Sequence, residues 1–131
     1  AAWSDDAARD VVPGTGPRAS VGAPSGVEGA VPASWPSALS DASNGAIGAA
    51  LSACHRAGVE RGSPGEGLVR VRVSVDPTTG RVTESRVEIT DIGDGEETTC
   101  VADAFRGVAF PAAVGTTHTV ELSVPVRLVA D

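Results

Sequence analysis

The sequence predicts an α+β domain: a three-stranded antiparallel sheet with two helices packed on one face, in the order α-β-β-α-β. Three features point there. Residues 68–75 alternate, so that Val69, Val71, Val73 and Val75 share one face while Arg70, Arg72 and Ser74 share the other. Residues 119–129 keep the same period, with Val120, Leu122, Val124, Val126 and Leu128 on one side and Glu121, Ser123, Pro125 and Arg127 on the other. The stretches around Cys54 and Cys100 instead space their apolar residues by three and four, the pattern of helices that bury one stripe. A sheet with one apolar face needs such a cover.

Composition bounds the rest. A chain of 131 residues has room for one core and a tail. Its aromatics are two tryptophans and two phenylalanines, with no tyrosine or methionine. The core must therefore be made of valine, alanine and leucine, each burying little area. Residue 1 is not methionine, so a removed leader or upstream region is expected. No apolar stretch approaches the roughly 20 residues that cross a bilayer, so no transmembrane segment is expected. The net charge is -7, and the ten basic residues are all arginine and scattered. With no basic patch and an unfavourable net charge, nucleic acid is not an expected partner.

Residues 1–36 have a different texture. Pro13-Gly14, Gly16-Pro17, Ala23-Pro24 and Val31-Pro32 punctuate scattered valines and alanines, which predicts a flexible linker or tether ahead of a folded domain over 37–131. Trp3 and Trp35 stand out, because an indole gains by burial. Trp35 is expected to plug the edge of the core, to face a partner or simply to lie exposed.

Along the domain, Asp41, Ser43 and Asn44 can each cap a helix whose stripe is Ile47, Ala50, Leu51 and Cys54 and whose end falls at Gly58. A polar connection leads to the first strand. Asp76-Pro77-Thr78-Thr79-Gly80 then reverses the chain, with the fixed φ of proline early and a positive φ at glycine late. In the second strand Val82 is out of phase with Val87 and Ile89. One bulge between Glu84 and Arg86 would reconcile them, as would a frayed start. Thr98 or Thr99 caps the second helix, with Cys100, Val101, Ala104, Phe105 and Val108 as its stripe, and Phe110-Pro111 closes it. In the last strand Pro125 cannot donate to a ladder, which places that strand at an edge, or at the centre with a bulge. An open edge accepts a partner's strand, so Pro125 and Arg127 join Trp35 as candidate interaction residues.

Cys54 and Cys100 are too widely spaced for a redox CxxC pair and too few for structural zinc. Buried reduced thiols and a disulfide of an exported protein both fit. Groups for catalysis are scarce. His55 is expected at the surface or rim of its helix and His118 at the frayed start of the last strand; lysine is absent, no serine sits in a G-x-S-x-G setting, and no catalytic residue is assigned. Asp91, Asp94, Glu96 and Glu97 gather oxygen donors but lack the spacing of an EF-hand, so helix capping and solvation are their expected use. No metal or other cofactor is expected.

The ordered set Ser52-Ala53-Cys54-His55, residues 67–73, Asp76-Pro77-Thr78-Thr79-Gly80-Arg81-Val82, Cys100-Val101 and Phe110-Pro111 resembles a known domain. It is similar to the C-terminal domain of the AgmX/PglI group of myxobacterial envelope and gliding-motility proteins, itself similar to the C-terminal domain of TonB. The likeness spans about residues 44–128. The resemblance implies two helices on a three-stranded antiparallel sheet, a Cys54–Cys100 disulfide across those helices, and a place in the periplasm or on the surface of a Gram-negative cell. It further implies a non-catalytic module that binds an envelope protein or peptide, at an open strand edge or in the groove between helices and sheet. A structural or self-assembling role, with the N-terminal tail contacting neighbouring copies, is the alternative. His55 and Arg56 stand where that family usually has tyrosine and glutamate.

Overall fold

The computed structural model describes residues 17–130; Trp3 lies outside them. The class is α+β with an antiparallel sheet, but the sheet has five strands rather than three and is covered by three α-helices rather than two. The elements are β1 (Arg18–Val21), β2 (Ser25–Gly26), α1 (Trp35–Ser43), α2 (Ala46–Glu60), β3 (Gly67–Asp76), β4 (Arg81–Thr90), α3 (Gly95–Ala104) and β5 (Val120–Val129), with a single 3-10 turn at Phe105–Gly107. The strand order is β1-β5-β3-β4, and β2 pairs with β5 beside β1.

The two extra strands come from the segment expected to be linker. Arg18–Val21 and Ser25–Gly26 both pair antiparallel with β5, so part of the tail is a strap on the sheet. Its sequence hid this because each piece is too short to show a period. Alternation is visible only once Ala19 and Val21 are seen facing the core beside Leu128 and Val126.

β3 and β5 make the floor of the core. Val69, Val71, Val73 and Val75 and, beside them, Leu122, Val124, Val126 and Leu128 are all at most 1% exposed. At roughly 1.5–3 kcal/mol for each fully buried aliphatic side chain, this double row is the main source of stability. Trp35 and Leu39 of α1, Leu51 and Cys54 of α2, and Val101, Ala102 and Phe105 of α3 and the turn close over it as one cluster.

Pro125 does not put β5 at an edge, and β5 has no bulge. The β3–β5 ladder runs from Gly67↔Leu128 to Val75↔Val120 without a register shift, so β5 is central. A residue's N–H and C=O point to the same side of a strand. The Pro125 carbonyl accepts from the Gly22 N–H at 2.8 Å, so its missing donor is turned toward the strap. There β1 has stopped at Val21 and β2 has not begun, and no ladder bond is asked of that nitrogen. Gly22 is a close fit to the ring: a Cβ there would lie 2.9 Å from Pro125 Cγ.

The hairpin closes as its residues predict. Gly80 takes φ +76° and donates to Asp76 O at 2.7 Å, while Asp76 Oδ1 accepts from the Thr78 N–H and hydroxyl. β4 has neither a bulge between Glu84 and Arg86 nor a frayed start; it carries two bulges, at Thr83 and Glu88. The first restores Val82 to the core face. The second turns Ile89 to the outer face opposite Arg70, where it is 63% exposed.

Three helix boundaries also differ from expectation. Asp41 and Ser43 belong to α1, an additional helix, and the chain turns at Asn44-Gly45 so that Gly45 is the N-cap of α2. α2 runs past Gly58 to Glu60. It ends in a Schellman motif, with Gly62 at φ +99° donating to Val59 O and Ser63 donating to Gly58 O. Asp94, not Thr98 or Thr99, caps α3: its Oδ1 accepts from the N–H groups of Glu96 and Glu97 at 3.0 and 3.1 Å.

Candidate functional site

Helices α2 and α3 are joined by two adjacent cross-links. One is the Cys54–Cys100 disulfide, with a Cα separation of 5.7 Å. The other is a hydrogen bond of 2.7 Å between His55 Nδ1 and Glu97 Oε2, with both side chains fully buried. His55 was expected on the surface. It is inside because Cys54 and His55 both face α3, whose Glu97 and Cys100 lie three residues apart on one stripe. That spacing was the signal in the sequence that could have found the pair.

The geometry settles how the imidazole is used. The Gly65 carbonyl lies 3.0 Å from Nε2 and can only accept, so Nε2 carries a hydrogen. Nδ1 is hydrogen-bonded to Glu97 Oε2. Both ring nitrogens are thus engaged by the protein's own groups. Glu97 has room because residue 58 is glycine: a Cβ there would lie 2.1 Å from Oε1. The pair is a brace across the helices, about one and a half turns of α2 before its Schellman end.

The four carboxylates of the acidic loop do not meet at one point: two of them share Arg61 and the other two turn elsewhere. Asp91 Oδ1 accepts from the Leu68 N–H at 2.9 Å, Glu97 is buried on His55, and Asp94 caps α3 while accepting from Arg61 Nε at 3.1 Å. Glu96 turns toward Arg61 Nη1 at 3.6 Å. The Glu97 N–H holds the Asp94 carboxyl below the usual carboxylate range, and Arg61 adds to the effect. Among the described residues no cluster of three or more acidic, histidine or cysteine side chains is arranged to hold a metal ion.

Of the candidate interaction residues, Trp35 is fully buried. Its Nε1–H donates to Pro111 O at 2.7 Å and its ring lies 4.9 Å from that of Phe110, so it is core. Pro125 is half-buried and Arg127 exposed, both on the outer face of the sheet. His118 is exposed in a surface cleft with Glu28, Thr119 and Glu121.

That outer face is a polar network built across strands. Arg72 donates to Glu121 Oε1 at 3.0 Å and to Glu88 Oε2, and Ser123 links Glu88 to Arg70 through bonds of 3.0 and 3.1 Å. Arg72 holds the Glu88 carboxyl below its ordinary range, helped by Ser123.

The edges differ in cover. On one side the strap lies along β5, with Ala19 N–H tied to Ser52 Oγ at 3.2 Å. On the other, β4 meets β3 on its inner side and, outside, only the single bridge Arg81↔Ala109 among the described residues. Residues 83–90 thus present their outer backbone groups without a partner strand among the described residues. None of the described helices is long and apolar enough to cross a membrane. Comparison with family models, with curated proteins and with solved structures returns no match to this chain.

Proposed function

We propose that this chain is a non-catalytic protein-interaction module of the cell envelope, acting in the periplasm or at the surface, that takes a short extended segment of a partner protein as an added strand on β4. The observation that carries the reading is the asymmetry of the edges: β5 is covered by the chain's own strap, and the outer side of β4 is not. A disulfide between the two central helices fits an oxidising compartment. The resemblance to the AgmX/PglI and TonB-type C-terminal domains supports the same setting.

The bulges at Thr83 and Glu88 and the charges of Glu84 and Arg86 guard this edge against indiscriminate pairing. They leave residues 84–87 as the flat stretch, enough for a short segment whose charges oppose Glu84 and Arg86. The test is site-specific photo-crosslinking in envelopes of the source organism. A probe at Thr83 or Glu84 should trap one discrete partner, and a probe at Ser25 on the strap should not. Equal trapping at Ser25, or none at Thr83 and Glu84, would sink the assignment.

A further inference from the structure

We propose that the outer sheet face around Arg70 and Arg127 is a docking surface for an extended acidic segment of a partner protein. It rests on the reading of the chain as an interaction module but uses a surface distinct from the β4 edge.

Charge pairing across the outer face is uneven. Glu88 and Glu121 are engaged by Arg72, and Glu84 lies 3.7 Å from Arg86. Among the described residues Arg70 reaches Glu88 only through the Ser123 hydroxyl, and neither Arg70 nor Arg127 makes an ion pair. Two arginines without a direct carboxylate partner among the described residues therefore share the outer face of a chain whose net charge is -7.

Register fixes their spacing. Arg70 stands opposite Pro125 and Arg127 opposite Leu68, so the two arginines are diagonal neighbours across β3 and β5, about 7–8 Å apart at the backbone. Carboxylates at positions i and i+2 of an extended segment project from one face roughly 7 Å apart. Each guanidinium can fork one of them.

Apolar contact adjoins the charge. Ile89 faces Arg70 from β4 and is 63% exposed, while Leu68 and Pro125 are half-buried. Ser20, Gly22, Leu68, Pro125 and Arg127 bound a cleft here, kept open because Gly22 has no side chain over the proline. The acidity of the rest of the chain repels a broadly acidic protein. The matching partner is therefore a segment with two acidic residues at alternate positions and an apolar residue on the same face.

The test uses the full chain with its disulfide intact and the blocked peptide Ser-Glu-Ser-Glu-Ser-Ile-Ser as probe, followed by amide chemical shifts. The expected result is saturable shifts at Leu68, Arg70, Ile89 and Arg127. Affinity should fall at least about tenfold in the R70Q/R127Q double variant and stay unchanged in R86Q, and the glutamine version of the peptide should not bind. Binding that survives R70Q/R127Q, equal binding of the glutamine peptide, or no saturable shift at millimolar peptide would overturn the proposal. Shifts confined to residues 83–87 and indifferent to both arginines would also overturn it, while leaving the β4-edge reading intact. Loss of partner trapping at Thr83 with the peptide response preserved would do the reverse.

Discussion

Replacing Gly58 by alanine tests the buried brace most directly, because two effects of opposite sign meet there. Within a helix, glycine to alanine ordinarily gains about 0.8–1.0 kcal/mol. In α2, however, the new Cβ would lie 2.1 Å from Glu97 Oε1 and 2.5 Å from its Cδ. An exposed glutamate would swing aside, but this one is fully buried and held by His55. Yielding means breaking that hydrogen bond, roughly 1.5–3 kcal/mol for a bond to a charged group, or forcing the helices apart, roughly 1–3 kcal/mol for overpacking. The expected net result for Gly58→Ala is a loss of roughly 1–3 kcal/mol, read as a lower urea midpoint at unchanged slope with the disulfide intact. The decisive comparison is the same substitution in a Glu97→Ala background. With the carboxylate gone the obstruction is gone, and Gly58→Ala should stabilise by about 0.5–1 kcal/mol. Stabilisation in both backgrounds would refute the close approach of Gly58 to Glu97.

Other outcomes follow from the same geometry. Cys54→Ala/Cys100→Ala should lower stability by about 2–4 kcal/mol, the loop-entropy figure for a separation of 46 residues being near the upper end, and the native chain's intact mass should be two hydrogens below the reduced value. Ser85 is buried on the core face opposite Val73 with no partner for its hydroxyl among the described residues, so Ser85→Ala should raise stability by about 1 kcal/mol in the same denaturation assay. Asp76, Glu88 and Asp94 have carboxyls held below their ordinary range, chiefly by the Thr78 hydroxyl, by Arg72 and by the Glu97 N–H respectively. Their stabilising contribution is present above the unfolded value of about 4 and is lost as pH falls through the lower folded values, so Tm should drop on acidification below about pH 4 and Asp94→Asn should flatten that drop. In hydrogen exchange the strap amides of Ala19, Val21 and Gly22 should exchange well before those of Val71 and Val73, because a strap of four and two residues opens without disturbing the central ladder. Equal protection would mean that the strap and the sheet open as one unit.

The outer face and the brace show two ways in which local reading meets its limit. Arg70, Arg72 and Arg127 were assigned to one wet face from alternation, and they lie on it. What alternation could not say is that Arg72 takes two glutamates while Arg70 and Arg127 pair with none among the described residues, since that depends on which strands lie beside β3. His55 was read as a helix-surface residue because a lone histidine beside a cysteine carries no periodic signal of burial. Its partner sits on another helix, and a polar side chain is stable inside only when such a partner exists.

The amino-acid order alone was enough for the features with a long period or a strong turn signal: the valine face of β3, the matching face of β5, the Gly80 reversal, and cysteine-bearing helices before and after the hairpin. These depend on residues close in sequence, whose geometry is set by the backbone itself. Chain folding in three dimensions assigned what depends on distant neighbours. It placed Arg18–Val21 and Ser25–Gly26 on β5, turned the missing donor of Pro125 to the side where the strap breaks, sank Trp35 under Pro111, and paired His55 with Glu97. A short strand or a buried polar group has no favourable state by itself; its free energy is set by the partner it meets, and that partner is adjacent only after the chain has closed.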